Sequence, residues 1–198
     1  MSTGNKRIRI TFNAPVVLGF ALLCVIVQVL NVVTRGESNR AVFSVYRAPL
    51  SDPLTWVRCV THVLGHADWS HLLNNMMLLL ILGPMLEEKY GSLNMLFVML
   101  ATAVATGIVN MVFFPRVMLM GASGIVFAMI LLSSITCAGE GEIPLTFIIV
   151  AVLYLGQQIY EGIFVSDNIS QVGHIVGGLV GSGLGFVMNR HGMGRRSR

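Results

Sequence analysis

Apolar blocks of roughly 16 to 22 residues recur along this chain, and each is close to the length that a helix needs to cross a bilayer. Only 11% of the 198 residues are charged, against about 25% in an average soluble protein. Six spans would use about 120 residues and leave tails and short connections. Because no block shows the period-2 alternation of a membrane barrel, the pattern predicts an all-α membrane protein, a six-helix transmembrane bundle.

The predicted spans cover residues 14–33, 70–87, 93–114, 117–137, 143–159 and 172–188. We expect three units along the chain, namely an N-terminal tail of residues 1–13, a six-span domain of residues 14–189 and a basic C-terminal tail of residues 190–198. The first block is too long for the apolar region of a signal peptide, which indicates a retained anchor. The polar stretch 35–58 is interpreted as an interfacial loop.

The charges of the two tails indicate the orientation in the membrane. An even number of spans places both tails on one side, and both tails are basic. The inner side then holds eight of the 13 Lys and Arg residues, which are Lys6, Arg7, Arg9, Lys89, Arg190, Arg195, Arg196 and Arg198. The positive-inside rule therefore predicts that both termini are cytoplasmic. We expect a multi-pass integral protein of the bacterial plasma membrane, in contact with the lipid bilayer.

Two classes of protein are disfavoured by composition. The net charge of +4 arises from tails and loops without interleaved aromatic residues, so we expect no nucleic-acid partner. Three cysteines are an odd number, and Cys24 and Cys137 lie inside apolar blocks, so no disulfide framework is indicated. The sequence carries no indication of the oligomeric state.

Polar residues lie at one depth in three of the predicted spans. The second, fourth and sixth spans all enter the membrane from the outer side, so their first turns lie at a similar level. These turns contain His71, Asn75, Ser123 and His174. Because polar side chains inside a membrane are costly, such residues are functional candidates.

Ser123 and His174 form a candidate nucleophile and base. Gly121 and Gly124 flank the serine and leave its backbone open to close approach. An imidazole titrates near neutral pH and can take the proton of a serine hydroxyl. The alternative is a packing surface, because Gly177, Gly181 and Gly185 follow His174 at intervals of four and would fit against Gly121 and Gly124.

Other residues complete this candidate site. No carboxylate lies in the interior of any predicted span, since all are at span ends or in loops, so we expect a Ser–His dyad rather than a triad. Phe127 lies one turn after the serine and can stack on the imidazole. His71 and Asn75 project from one helix face and can donate hydrogen bonds to an oxyanion. Alternatively, they bond to neighbouring helices.

A metal site is the weaker interpretation of the histidines. His62 and His66 have the spacing of a zinc-protease helix, but Val63 stands where the general-base Glu is required. We therefore expect no metal and no cofactor. Instead, these histidines are expected to organise the wet outer end of the second span, with Asp68 and Ser70 as its caps.

These residues resemble the motifs of the rhomboid intramembrane serine proteases. The similarity rests on three patterns, His62-x3-His66-x4-His71-x3-Asn75, Gly121-Ala122-Ser123-Gly124 and Gly173-His174-x2-Gly177-x3-Gly181. Each pattern is weak alone, but their order and spacing together are specific. The resemblance extends from about Trp56 to the end of the sixth span, although Phe127 stands where the family commonly has Tyr.

The resemblance implies that the protein is a serine endopeptidase, with Ser123 as nucleophile, His174 as base and His71 and Asn75 at the oxyanion site. The implied substrates are transmembrane segments of other proteins, cut near the outer face of the membrane. We expect the fifth span to act as a gate, with a lid formed by the loop that contains Ser166, Asp167, Asn168 and Ser170. The alternatives are a catalytically silent rhomboid-like protein that binds client helices, or a small transporter.

Overall fold

A computed structural model describes residues 12–136, 142–164 and 171–190 of the chain. Within these residues the chain is helical except for turns and one isolated β-bridge. The elements are α1 (Pro15–Val33), α2 (Glu37–Ala41), α3 (Pro53–Thr61), a 3-10 turn (His62–Leu64), α4 (Trp69–Tyr90), α5 (Ser92–Phe113), α6 (Ser123–Ser134), α7 (Leu145–Phe164) and α8 (Gln171–Arg190).

The long helices have the composition of membrane spans. Among the described residues, α1, α4 and α5 are long and apolar enough to cross a membrane, and α6 is apolar but has only 12 residues. Large apolar side chains such as Leu23, Ile26 and Phe97 are exposed on the outside of the bundle, as expected of a protein surrounded by lipid. The predicted all-α membrane bundle is confirmed, whereas the number of six spans stays a prediction.

Polar contacts bring four helix ends to the same end of the bundle. Glu87, near the end of α4, accepts a hydrogen bond from the backbone N–H of Val17 in the first turn of α1. Asn189 of α8 accepts from Tyr90 of α4 and donates to the carbonyl of Ile135 after α6. The helices α4, α6 and α8 therefore all begin at the opposite end, which is the arrangement that we expected for the second, fourth and sixth spans.

Glycines allow α6 and α8 to pack backbone against backbone. A Cβ on Gly177 would overlap the carbonyl oxygen of Gly124, and a Cβ on Gly181 would overlap that of Ala128. The predicted packing surface of α8 therefore exists, and Gly124 belongs to it. Gly121 does not, because it packs against α4 instead.

The predicted start of the fourth span at residue 117 is wrong. The helix begins at Ser123, and the preceding segment runs extended, with Leu119 pairing both backbone hydrogen bonds with Val45. Gly121 then has a φ of 122°, which no α-helix accommodates. Ser123 thus lies at the first residue of its helix rather than about 9 Å along it. The predicted end of this span at Cys137 lies outside the described residues.

The polar stretch 35–58, interpreted from its sequence as a loop, contributes to two short helices, α2 and α3. Asp52 caps α3 by accepting a hydrogen bond from the backbone N–H of Leu54, and Pro53 occupies the first helical position. Arg58 donates to the carbonyl of Ala41 and lies 3.6 Å from the Asp52 carboxylate. These bonds join α2 and α3 into one structured unit beside the beginning of α4.

Candidate active site

Ser123 is presented at the beginning of α6. The helix has Ala122 at its N-cap, without a side-chain cap, and Gly121 turns the chain into it through a left-handed φ. Because Ser123 is the first helical residue, its backbone N–H has no acceptor within the helix. The N-terminus of a helix also carries a partial positive charge, which favours an anion at this point.

His174 of α8 lies against the serine. Its Nε2 is 2.8 Å from Oγ of Ser123, a hydrogen-bond distance. The histidine is 8% exposed, and its hydrogen bond with the half-buried serine is partly buried. The ring of Phe127 lies one helical turn after the serine, with its centroid 4.5 Å from that of the imidazole and the planes 45° apart. The structure thus brings together the two residues of the predicted dyad and the phenylalanine predicted to stack on the imidazole.

Gly121 brings the backbone before Ser123 against two polar side chains of α4. A Cβ on Gly121 would lie 2.8 Å from Nε2 of His71 and 3.8 Å from Nδ2 of Asn75. Only a glycine leaves room for this approach and also tolerates its φ of 122°. Both predicted oxyanion residues therefore lie beside Gly121, two residues before Ser123.

Asn75 and His71 offer hydrogen-bond donors at this point. Asn75 is 6% exposed, and within the described residues its buried Nδ2 has no hydrogen-bond acceptor. Nδ1 of His71 accepts from the backbone N–H of Ala67 at 3.5 Å, so a neutral ring carries its proton on Nε2, which faces Gly121. Asp68 fixes the beginning of α4 by accepting from the backbone N–H of His71, as predicted for a cap, whereas Ser70 is a residue of the helix itself.

His62 and His66 hold the segment before the serine. The backbone N–H of Gly121 donates to the carbonyl of His62 at 3.0 Å, and that of Ala122 donates to Nε2 of His66 at 3.4 Å. The expectation that these histidines organise a wet helix end is wrong, since they are 1% and 0% exposed. Burial lowers the pKa of each to about 4, so both are neutral near pH 7.

The ring nitrogens of these histidines are engaged in hydrogen bonds. Those of His62 pair with the carbonyl of Arg58 and the hydroxyl of Thr106, both at 3.2 Å, and Nδ1 of His66 pairs with the carbonyl of Leu64 at 3.1 Å. The described part of the chain contains no group of three His, Cys, Asp or Glu residues arranged to hold a metal ion. The hydrogen bonds of His62 and His66 position the backbone of Gly121 and Ala122.

The predicted gate and lid are described only in part. The fifth span is longer than the predicted 143–159, since α7 extends from Leu145 to Phe164. Its apolar side chains Ile149, Val152 and Leu153 are exposed, as suits a surface that faces lipid. The proposed lid residues Ser166, Asp167, Asn168 and Ser170 lie outside the described residues, so the lid stays a prediction.

Comparison with known proteins identifies the family. The family model of the rhomboid domain matches residues 53–191, which is well over half of the chain. Rhomboid-like protein 11, chloroplastic, of Arabidopsis thaliana is 29% identical over 150 residues, and Rhomboid-related protein 2 of Mus musculus is 28% identical over 159 residues. The alignments cover 68% and 70% of this chain, but the chain spans only 53% of each of these two proteins. The chain belongs to the rhomboid family.

Proposed function

We propose that this protein is an intramembrane serine endopeptidase that cleaves transmembrane segments of other membrane proteins with a Ser–His dyad. The observation that carries the proposal is the 2.8 Å contact between Oγ of Ser123 and Nε2 of His174. Since Nε2 accepts the hydroxyl proton, the neutral ring carries its own proton on Nδ1. Nδ2 of Asn75, which has no acceptor among the residues that the structure describes, supports the same chemistry.

In the first step, Oγ of Ser123 attacks the scissile carbonyl while its proton passes to Nε2 of His174. The carbonyl oxygen becomes an oxyanion. The donors available to it are Nδ2 of Asn75, Nε2–H of His71 and the backbone N–H of Ser123. Donors already in place when the charge develops lower the barrier without further reorganisation. Collapse of the intermediate then transfers the proton from His174 to the leaving amine and leaves an acyl-serine.

In the second step, a water molecule attacks the acyl-serine. Nε2 of His174 removes a proton from this water, and the same donors hold the second oxyanion. Return of the proton to Oγ of Ser123 releases the new carboxyl terminus. Contact with the ring of Phe127 supports the orientation of the imidazole through both steps.

The proposed substrate enters from the lipid and is cut near the outer face of the membrane. Ser123, His174 and His71 all lie at the end of the bundle where α4, α6 and α8 begin. With cytoplasmic tails, as the basic residues predict, this end faces outward. The exposed apolar surface of α7 supports access through the side of the bundle.

A cleavage assay with the purified protein tests the proposal. Wild-type protein in detergent or lipid should cut a model transmembrane substrate that has a small residue at the cleavage site. The Ser123→Ala and His174→Ala variants should be inactive but equally well folded. Undiminished cleavage by Ser123→Ala would reject the serine mechanism. A folded wild-type protein that binds such helices without cutting them would instead identify a catalytically silent rhomboid-like protein.

A further inference from the structure

Residues 120–122, between the β-bridge at Leu119 and Ser123, form hydrogen bonds with residues outside α6. Gly121 donates its backbone N–H to the carbonyl of His62, and Ala122 donates to the ring of His66. Both acceptors lie just before α4, in residues 62–66. Any shift of this stretch therefore moves the backbone that leads into Ser123, so the residues that anchor it influence the geometry of the site.

Asn39 anchors this stretch from α2, and the proposed mechanism does not use it. The side chain is 4% exposed. Its Nδ2 donates to the carbonyl of His66 at 2.8 Å and lies 3.6 Å from Sδ of Met120. Met120 directly precedes Gly121 in the chain. One carboxamide thus contacts the anchoring stretch on one side and the segment before the serine on the other.

The orientation of this carboxamide follows from its partners. The carbonyl of His66 and the sulfur of Met120 both act as hydrogen-bond acceptors. The buried Oδ1 of Asn39, by contrast, has no donor within the described part of the chain. The NH2 group therefore fixes the side chain, and an oxygen in its place would face two acceptors. Asn31 of α1 donates to the same His66 carbonyl, but at 3.5 Å.

We propose that Asn39 is a positioning residue for Ser123. Its carboxamide holds the His66 carbonyl and the Met120 sulfur at a fixed separation, and so sets the path of Gly121 and Ala122 between His71 and the start of α6. This inference rests on the proposed protease function. It assigns a catalytic consequence to the short helix α2, which lies outside the proposed mechanism.

The test compares variants of Asn39 in the full-length protein. Asn39→Asp keeps the shape but replaces the donor with oxygen, and Asn39→Ala removes the group. Both should lower kcat on the order of tenfold or more, with KM within about twofold, because displacement of reacting groups affects rate more than binding. Asn39→Gln keeps the donor on a longer side chain and should recover part of the loss. Reactivity of Ser123 toward a fluorophosphonate should fall in parallel with kcat.

Ser44→Ala provides the matched control. Ser44 is buried and donates to the sulfur of Met120 at 3.9 Å, but it does not bond to His66. This variant should keep kcat within about twofold of the wild type, because the anchor on the His66 carbonyl is intact. Rates are divided by the number of Ser123 sites that react at saturation, so that misfolded protein does not enter the comparison.

The outcomes separate this inference from the proposed function. Wild-type protein that neither cleaves nor reacts with the fluorophosphonate refutes the protease proposal itself. Active wild-type protein with Asn39→Asp and Asn39→Ala at unchanged kcat per reactive site refutes only the positioning role. If those two variants do not fold, Asn39→Ser decides, since its short polar side chain loses the contact with the His66 carbonyl. A lowered kcat with unchanged KM then supports the role, and an unchanged kcat overturns it.

Discussion

Nε2 of His71 would lie only 2.8 Å from a Cβ placed on Gly121, so this proposed oxyanion donor approaches the backbone before Ser123 only because residue 121 has no side chain. The His71 side chain of α4 thus packs directly against the backbone that precedes α6, without an intervening side chain. Gly121 therefore allows the approach of α4 to this segment, whereas Gly124 belongs to the interface between α6 and α8.

We expect Gly121→Ala to lower kcat on the order of 100-fold, because the added methyl group must displace His71 or the backbone that leads into Ser123. The matched control is Gly91→Ala. Gly91 also has a positive φ, of 85°, but nothing lies within 4 Å of its Cβ position. The control variant should lose stability and keep its rate per folded molecule. Equal rates in the two variants, measured by substrate cleavage, would contradict the prediction.

We expect Asn75→Ala to lower kcat by a factor on the order of 10 to 1000, with little change in KM, because it removes one donor to the oxyanion. Combination with His71→Ala should cost less than the product of the single losses, since donors that act as a unit are not additive. Turnover and melting temperature are measured side by side. A destabilised protein with a normal rate per folded molecule would instead assign these residues to helix packing.

We expect Gly181→Ala to lower the melting temperature in detergent, because its Cβ would overlap the backbone of Ala128 and force α8 away from α6. Gly183 lies in the same helix, with nothing within 4 Å of its Cβ position. Gly183→Ala should therefore leave the melting temperature unchanged or raise it slightly, since alanine is the better helix former by about 0.5–1 kcal/mol. Similar destabilisation by both substitutions would show that the packing surface is not decisive.

We expect chelators such as phenanthroline to leave activity unchanged, because the ring nitrogens of His62 and His66 are engaged in hydrogen bonds that position backbone. A fluorophosphonate should react with Ser123 in the wild type but not in His174→Ala. Labelling is followed by mass spectrometry. Stoichiometric zinc that is lost together with activity would reverse this assignment and restore the metal alternative.

We expect the free energy of unfolding to decrease as the pH is lowered below about 6.5, the ordinary pKa of histidine. Burial lowers the pKa of His62 and of His66 to about 4 in the folded protein, so the unfolded chain takes up these protons first. Above pH 6.5 both histidines are neutral in the folded and the unfolded chain and cost no stability. Between pH 6.5 and pH 4 each lowers the free energy of unfolding by at most about 1.4 kcal/mol per pH unit.

Melting temperatures of Ser123→Ala between pH 7.5 and 4.5 measure this decline without interference from proteolysis. Adding His66→Asn should make the decline shallower, because one buried imidazole is removed. A melting temperature that does not change between pH 7 and pH 5 would contradict the buried neutral state of these histidines.

The sequence predicts the members of the site better than it predicts their backbone. Ser123 and His174 follow from their similar depth at the beginnings of two predicted spans. Phe127 follows from its position one helical turn after the serine. The non-helical path of residues 117–121 does not follow, because Val45, the bridge partner of Leu119, lies far away in the chain and the local sequence is apolar enough to suggest a span. The roles of His62 and His66 likewise depend on burial by distant segments.

The shortness of α6 has a consequence for the membrane around it. Twelve residues of helix extend about 18 Å, whereas the hydrocarbon core of a bilayer is about 30 Å thick. About 12 Å of that thickness is therefore not spanned by α6 itself. Bare backbone is tolerated at such a depth only within protein or beside water. For the proposed cleavage, a depression open to solvent inside the plane of the lipid would let water reach a peptide bond. A substrate helix that enters it would first give up part of its own hydrogen bonding.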